Sequence, residues 1–196
     1  MDKIKILDTA TLSNNWYILK KITYQYLQKD GSWQTQQREA YDRGNGAAIL
    51  LYNKDSRNVI LTRQFRLPTF LNGNKDGMLI EVCAGLLDKD NPEACIRRET
   101  EEETGYKVKT VTKVFEAYMS PGSVTEILYF FVAEYSHTMK VNEGGGVKEE
   151  QENIEVIEMP YETAMKMLDA GEIKDAKTII LLQYAKLHGL VNQEEK

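Results

Sequence analysis

Ala84-Gly85-Leu86-Leu87-Asp88-Lys89-Asp90-Asn91-Pro92-Glu93-Ala94-Cys95-Ile96-Arg97-Arg98-Glu99-Thr100-Glu101-Glu102-Glu103-Thr104-Gly105-Tyr106 reads as a loop, a helix and a stop. Asn91 suits an N-cap and Pro92 the first helical position, where a missing N–H costs nothing. Gly105 can take the left-handed conformation that ends a helix, so the punctuation predicts a helix over about Pro92 to Thr104. From Arg97 to Glu103 six of seven residues are charged, and four are carboxylates. Glu99 and Glu103 stand four apart and Glu102 three from Glu99, which places all three on one face. Two such carboxylates about 4–5 Å apart repel by roughly 3–4 kcal/mol at an effective dielectric of 20. Something positive should sit between them. Arg98, four before Glu102, can hold one carboxylate but not neutralise the face, and hard oxygen ligands on a rigid element suit Mg²⁺ or Mn²⁺. Taken alone, a charge run of this kind is more often a solvated, salt-bridged face.

The larger pattern reverses that preference. Gly85, a loop, then Arg98-Glu99-Thr100-Glu101-Glu102-Glu103-Thr104-Gly105-Tyr106 resembles the signature of the Nudix hydrolases, a glycine followed by Arg-Glu-x-x-Glu-Glu-x-Gly and a hydrophobic residue. The family pattern has one more residue between the glycine and the arginine, and both Asp90 and Glu93 stand near the place of its early glutamate. The metal-binding core of the signature is intact.

The chain has 196 residues, enough for one well-filled domain with a small N-terminal appendage. We expect an N-terminal strand region over 1–43, a main domain over 44–191 and a disordered tail over 192–196. Hydrophobic content of 42% and charged content of 28% are those of a soluble globular protein. No apolar run approaches a membrane span, and the charged N-terminus lacks the apolar core of a signal peptide, so the expected location is the cytoplasm, with no membrane partner. A net charge of −5 argues against a nucleic-acid partner, which calls for a basic patch. Cys83 and Cys95 read as buried thiols that pack a strand against the helix.

Along the chain, Ile4 to Ile6 reads as a short strand. Trp16 to Leu27 and Trp33 to Tyr41, joined by Lys29-Asp30-Gly31, read as an antiparallel hairpin. Ala47 to Tyr52 and Val59 to Phe65 form a second, buried pair. Arg63-Gln64-Phe65-Arg66 then presents guanidinium groups suited to phosphate, although pairing with an acid is the commoner fate of an arginine. Leu67 to Gly77 reads as an exposed loop. Met78 to Ala84 is a strand that delivers the chain to Gly85, so the carboxylate helix is entered from a strand. Thr110 to Tyr118, Thr125 to Tyr135 and Ile154 to Met159 complete the sheet. Between them Gly144-Gly145-Gly146, followed by Glu149, Glu150 and Glu152, reads as a mobile acidic lid or as a plain solvated loop. Two helices close the chain: one from Tyr161 to Ala170, and one capped by Asp175 that runs to Gly189.

The resemblance extends beyond the signature. Tyr41-Asp42-Arg43-Gly44-Asn45-Gly46-Ala47, Arg63-Gln64-Phe65-Arg66, Tyr118-Met119-Ser120-Pro121-Gly122, Gly144-Gly145-Gly146-Val147 and Gly171-Glu172-Ile173 are similar to the bacterial GDP-mannose pyrophosphatase branch, close to the ADP-sugar pyrophosphatases. It implies an α/β (α+β) Nudix fold, a mixed sheet between helices, with an N-terminal antiparallel hairpin exchanged in a homodimer. It also implies Mg²⁺- or Mn²⁺-dependent cleavage of a nucleotide-sugar pyrophosphate, with GMP and mannose 1-phosphate as the products from GDP-mannose. Carried over by position, the metal ligands would be the carbonyl of Ala84, Glu99, Glu103 and a loop glutamate that doubles as the general base. Glu152 matches that role best, and a longer loop leaves Glu150 and Glu149 as alternatives. Arg98 and Glu102 complete the catalytic helix. Ala84, Gly85, Leu86 and Arg66 would touch substrate. Glu126 and Lys177 would lie near sugar or phosphates, and Trp16, Gln37, Arg38 and Glu39 near the nucleoside. The same chemistry on ADP-ribose is the runner-up. A non-catalytic nucleotide-sugar sensor ranks low, because Glu99, Glu102 and Glu103 all stand.

Overall fold

The computed structural model describes residues 3–87, 90–147 and 152–191. The chain divides into two compact units, one formed by the residues up to Asn45 with Tyr118–Leu128, the other by Gly46–Ala117 with the chain from Tyr129 onward.

The first unit holds a three-stranded antiparallel sheet of β1 (Ile4–Asn14), β2 (Ile18–Leu27) and β3 (Trp33–Asp42). The sequence predicted a hairpin with a three-residue strand before it, and β1 proves much longer. Its run Leu7-Asp8-Thr9-Ala10-Thr11-Leu12 lacks apolar alternation because the strand is exposed on most positions, which removes the period-two signal. Within the same unit Tyr41 donates its N–H to the carbonyl of Ser123, and Ile127 donates to Asn45 Oδ1.

The second unit is built on a seven-stranded sheet. Its strands are β4 (Gly46–Asn53), β5 (Asn58–Phe65), β6 (Met78–Glu81), β7 (Cys83–Leu86), β8 (Thr112–Tyr118), β9 (Ile127–Glu134) and β10 (Glu155–Pro160). The order β10-β5-β4-β9-β8 forms the main path. β4 is buried at every position, which explains its unbroken apolar run. Ala47, Ile49 and Leu51 join a core cluster with Ile96, Phe131 and Tyr135, while the alternate residues turn to the opposite, equally buried face. The β4–β5 pair stays together only near its turn, from Leu51↔Ile60 to Asn53↔Asn58. Toward its other end β5 pairs with β6 and β4 pairs with β7. The strand expected from Met78 to Ala84 is thus two strands interrupted at Val82, whose N–H leaves the ladder and donates to Thr178 Oγ1 at 2.8 Å.

Among the described residues four α-helices accompany the sheet: α1 (Leu67–Leu71), α2 (Pro92–Thr104), α3 (Tyr161–Asp169) and α4 (Ala176–Leu187). α2 and α4 both pack on β4. α1 replaces part of the expected Leu67-to-Gly77 loop; it begins at Leu67 with Pro68 in its first turn, where a proline is tolerated. α2 has the predicted bounds. Asn91 caps it by accepting the N–H of Ala94 at 2.8 Å, and Gly105 ends it at φ 79°. Asp175 caps α4 as expected, accepting from Thr178 N at 2.9 Å, although the helix stops at Leu187 rather than reaching Gly189. No helix among the described residues is long and apolar enough to cross a membrane. The tail at 192–196 lies outside the described residues.

Candidate active site

Strand β7 and helix α2 build the site together. The buried stripe of α2 is Cys95, Ile96, Thr100, Glu103 and Thr104, so Glu103 occupies a core position at helical spacing. It is 2% exposed, and its Oε2 accepts the N–H of Ala84 at 3.3 Å. The thiol of Cys83, also buried, hydrogen-bonds to the same carboxylate. Among the described residues no basic side chain pairs with Glu103. Burial pushes its carboxyl up from 4.5 to about 8, with Glu99 and Glu152 raising it further and the Cys83 and Ala84 hydrogen bonds opposing. Burial likewise drives the Cys83 thiol well above its ordinary value, helped by the charges of Glu103 and Glu99. Glu152 therefore stands within electrostatic reach of Glu103.

Glu99 lies over Gly85, so close that a β-carbon built there would come within 2.1 Å of its carboxyl carbon. Arg98 gathers the outer acids, with Nη2 at 2.9 Å from Glu99, Nη1 at 2.8 Å from Glu102 and Nε at 3.6 Å from Asp90. Partial burial works against the Arg98 charge, but Glu99 and Glu102 hold its pKa above the ordinary arginine value. Glu93 instead pairs with Arg97 at 2.6 Å. Of the two acids near the place of the early glutamate, Asp90 is the one that joins the network. Glu103 turns inward and Glu99 lies on Gly85, while Arg98 binds Glu99 and Glu102 together.

Gly144-Gly145-Gly146 docks on the end of α2. Gly145 N donates to Glu103 O at 2.9 Å and Gly146 N to Glu102 O at 3.1 Å, satisfying carbonyls the helix leaves open. All three glycines have positive φ, and a β-carbon on Gly144 would meet Glu103 O at 2.5 Å. Positive φ at all three positions, with close approach at Gly144 and Gly146, suits glycine there. Glu152 lies against Gly146 and accepts the N–H of Val147 at 3.0 Å. Glu149 and Glu150 lie outside the described residues.

Arg66 and Lys177 are brought together by an acid not singled out in the sequence, Glu81. Arg66 Nε donates to Glu81 Oε2 at 2.8 Å, and Lys177 donates to Glu81 Oε1 and, at 2.9 Å, to Asp175 Oδ1. Burial acts to lower the Lys177 pKa, but Glu81 and Asp175 carry it above the ordinary lysine value. Glu81 had a signal: it is the one charge in the apolar run Met78-Leu79-Ile80-Glu81-Val82-Cys83. Leu86 lies on β7, and its carbonyl accepts from Cys95 Sγ at 3.1 Å.

The remaining candidates belong to the first unit. Trp16 is 84% exposed and meets Tyr17 edge-on at 6.3 Å. Gln37, Arg38 and Glu39 are exposed on β3, where Gln37 donates to Thr23 Oγ1 at 3.2 Å. Glu126, 13% exposed, pairs with Arg43 Nε at 3.6 Å.

The donor set of the second unit fits a hard divalent cation. A buried carboxylate with a raised pKa and no cationic partner, flanked by Glu99 and Glu152, calls for positive charge. Among the described residues no three acidic, histidine or cysteine side chains are gathered closely enough to enclose an ion by themselves. Mg²⁺ needs no such cage, because it typically uses one or two carboxylates together with water and substrate phosphate.

The sequence model of the NUDIX domain matches residues 42–182. The chain belongs to the Nudix family. Residues 3–41 match a second model, described as the GDP-mannose pyrophosphatase NudK N-terminal domain. Among Nudix relatives, the GDP-mannose pyrophosphatase of Enterobacter sp. (strain 638) is 54% identical over 189 residues, covering 96% of this chain and 98% of the relative. The GDP-mannose pyrophosphatase of Yersinia enterocolitica (strain NCTC 13174 / 8081) is 57% identical over 189 residues, with the same coverage. That of Escherichia coli O157:H7 is 53% identical over 190 residues, covering 97% of this chain and 98% of the relative.

Proposed function

We propose that this Nudix hydrolase cleaves the pyrophosphate bond of a nucleotide sugar, GDP-mannose foremost, to give GMP and mannose 1-phosphate. The substrate assignment is carried by one observation: the likeness to GDP-mannose pyrophosphatases runs through both units at 52–57% identity rather than through the signature alone.

Glu99, Glu103, the Ala84 carbonyl and Glu152 would hold a divalent cation, for which Mg²⁺ is our choice. When bound, such an ion offsets the charge of the diphosphate and acidifies a coordinated water. Glu152 accepts the proton of the attacking water. Arg98 holds Glu99 and Glu102 in fixed orientations, and the bare backbone of Gly85 leaves room for the Glu99 carboxylate. Arg66 and Lys177 contact the phosphates, as arginine forks and lysine charges do. The exposed indole of Trp16, with Gln37, Arg38, Glu39 and Glu126, serves nucleoside and sugar.

A homodimer built on the N-terminal sheet is part of this reading. β1 exposes Ile4, Ile6, Leu7 and Leu12 by about half each, an apolar edge that a second copy would cover. Cys83 and Cys95, both buried and neither in a disulfide, suit the reducing cytoplasm. Side-by-side hydrolysis of GDP-mannose and ADP-ribose with Mg²⁺ tests the assignment. We expect the higher kcat/KM on GDP-mannose and no turnover after chelation; a preference for ADP-ribose would overturn the substrate, and metal-independent release the mechanism.

A further inference from the structure

Glu81 sits at the end of β6, 2% exposed, and both of its oxygens are taken by cations from separate elements. Arg66 is the residue that precedes α1, and Lys177 lies in the first turn of α4. Behind Lys177, Asp175 Oδ2 accepts from Thr178 N at 2.9 Å and Thr178 Oγ1 at 2.6 Å, and Thr178 Oγ1 accepts in turn from Val82 N. The network closes on the residue that follows Glu81. Two cations and two acids balance, so the cluster is electrically neutral before substrate arrives.

The way Arg66 is held matters most. It engages Glu81 through Nε and keeps 40% of its side chain exposed, and among the described residues neither Nη has an acceptor. A carboxylate grip through Nε leaves the outer edge of the guanidinium plane aimed and unsatisfied, the geometry that suits a bidentate phosphate contact. Lys177 has three donors and two acceptors here, so one proton is left for an anion.

We propose that Glu81 is a positioning residue that fixes Arg66 and Lys177 as a cation pair for the anionic oxygens of the substrate's diphosphate, an inference that rests on the phosphate contacts proposed above for those two residues. Glu81 itself touches no substrate. Its effect should pass through KM, since it sets where the cations stand and leaves the carboxylates of α2 alone.

A double-mutant cycle on GDP-mannose, with Mn²⁺ affinity measured by electron paramagnetic resonance, tests this. R66A and E81Q should each raise KM about tenfold or more, with kcat changed far less, and R66A/E81Q should stand within about twofold of the worse single variant. Mn²⁺ affinity should stay at the wild-type value in all three. Multiplying effects, or an E81Q enzyme with wild-type KM beside a weakened R66A, would overturn the positioning role alone. An R66A enzyme with unchanged KM removes the phosphate contact and the proposal with it. E81Q leaves two cations facing an uncharged amide, so E81Q/K177M, which keeps the buried charges balanced, is the second background if E81Q fails to fold. There R66A should add no more than about twofold to KM, and a full tenfold addition sinks the proposal.

Discussion

The carboxylate of Glu99 occupies the space that a side chain on Gly85 would need, with Cδ 2.1 Å from the position of the missing β-carbon. The obstacle is the far end of a flexible side chain rather than backbone. G85A can therefore be accommodated by swinging Glu99 aside, at a stability cost of about 1 kcal/mol or less. Activity should nevertheless fall by about a hundredfold or more, because the proposed ligand Glu99 has been displaced. Thermal melts beside steady-state kinetics check the separation; a fully active G85A enzyme would remove Glu99 from the site.

Glu103 gives the metal-free protein a pH-dependent weakness. Its carboxyl titrates near 8 in the folded chain against 4.5 as the ordinary value. Below about 4.5 both states are protonated and the native state suffers no penalty. As pH rises from there toward 8 the unfolded chain ionises and the folded one does not, so stability is lost across that window, by a few kcal/mol at most. Urea titrations in EDTA between pH 5 and 8 should show this fall in the wild type and a flatter profile in E103Q. Equal slopes would contradict it. E103Q should also lose turnover by orders of magnitude at saturating Mg²⁺.

Divalent ions should reverse that weakness. Binding at the proposed site requires ionised Glu103, so the rise in Tm produced by Mn²⁺ should be larger at pH 8 than at pH 6. In E99Q/E103Q the shift should vanish at both. An undiminished shift in that variant would mean that the ion binds elsewhere.

G144A tests the docking of the glycine loop on α2. Its φ of 68° disfavours any L side chain, and the new methyl would meet Glu103 O at 2.5 Å. We expect a loss of about 1–3 kcal/mol together with reduced kcat, since the loop leads on to Glu152. Unchanged melting and turnover would restore the freely moving hinge read from the sequence.

Some of this was legible without coordinates because the relevant signals are local. Asn91, Pro92 and Gly105 delimit α2 by chemistry that acts within a turn of the chain, and the structure keeps those bounds. The inward turn of Glu103 is different: Glu99, Glu102 and Glu103 share a face by spacing, yet which of them is buried depends on where β7 lies. β1 was cut short because an exposed strand carries no periodic signature. The Glu81 network escaped notice because its members, Arg66, Glu81, Asp175 and Lys177, come from distant parts of the chain. A lone acid in an apolar strand was the available clue.

Five consecutive residues, Glu81 to Gly85, supply the anchor of the cation pair, the tether to α4, the thiol on Glu103, the amide that steadies it and the bare spot beneath Glu99. Glu81, Cys83 and Gly85 work through the side they face, and Val82 and Ala84 through backbone amides whose direction the register sets. Removing or adding a single amino acid within this segment would invert every later assignment, so its length is as tightly constrained as its composition, and any drift toward new substrates must be written elsewhere in the polypeptide.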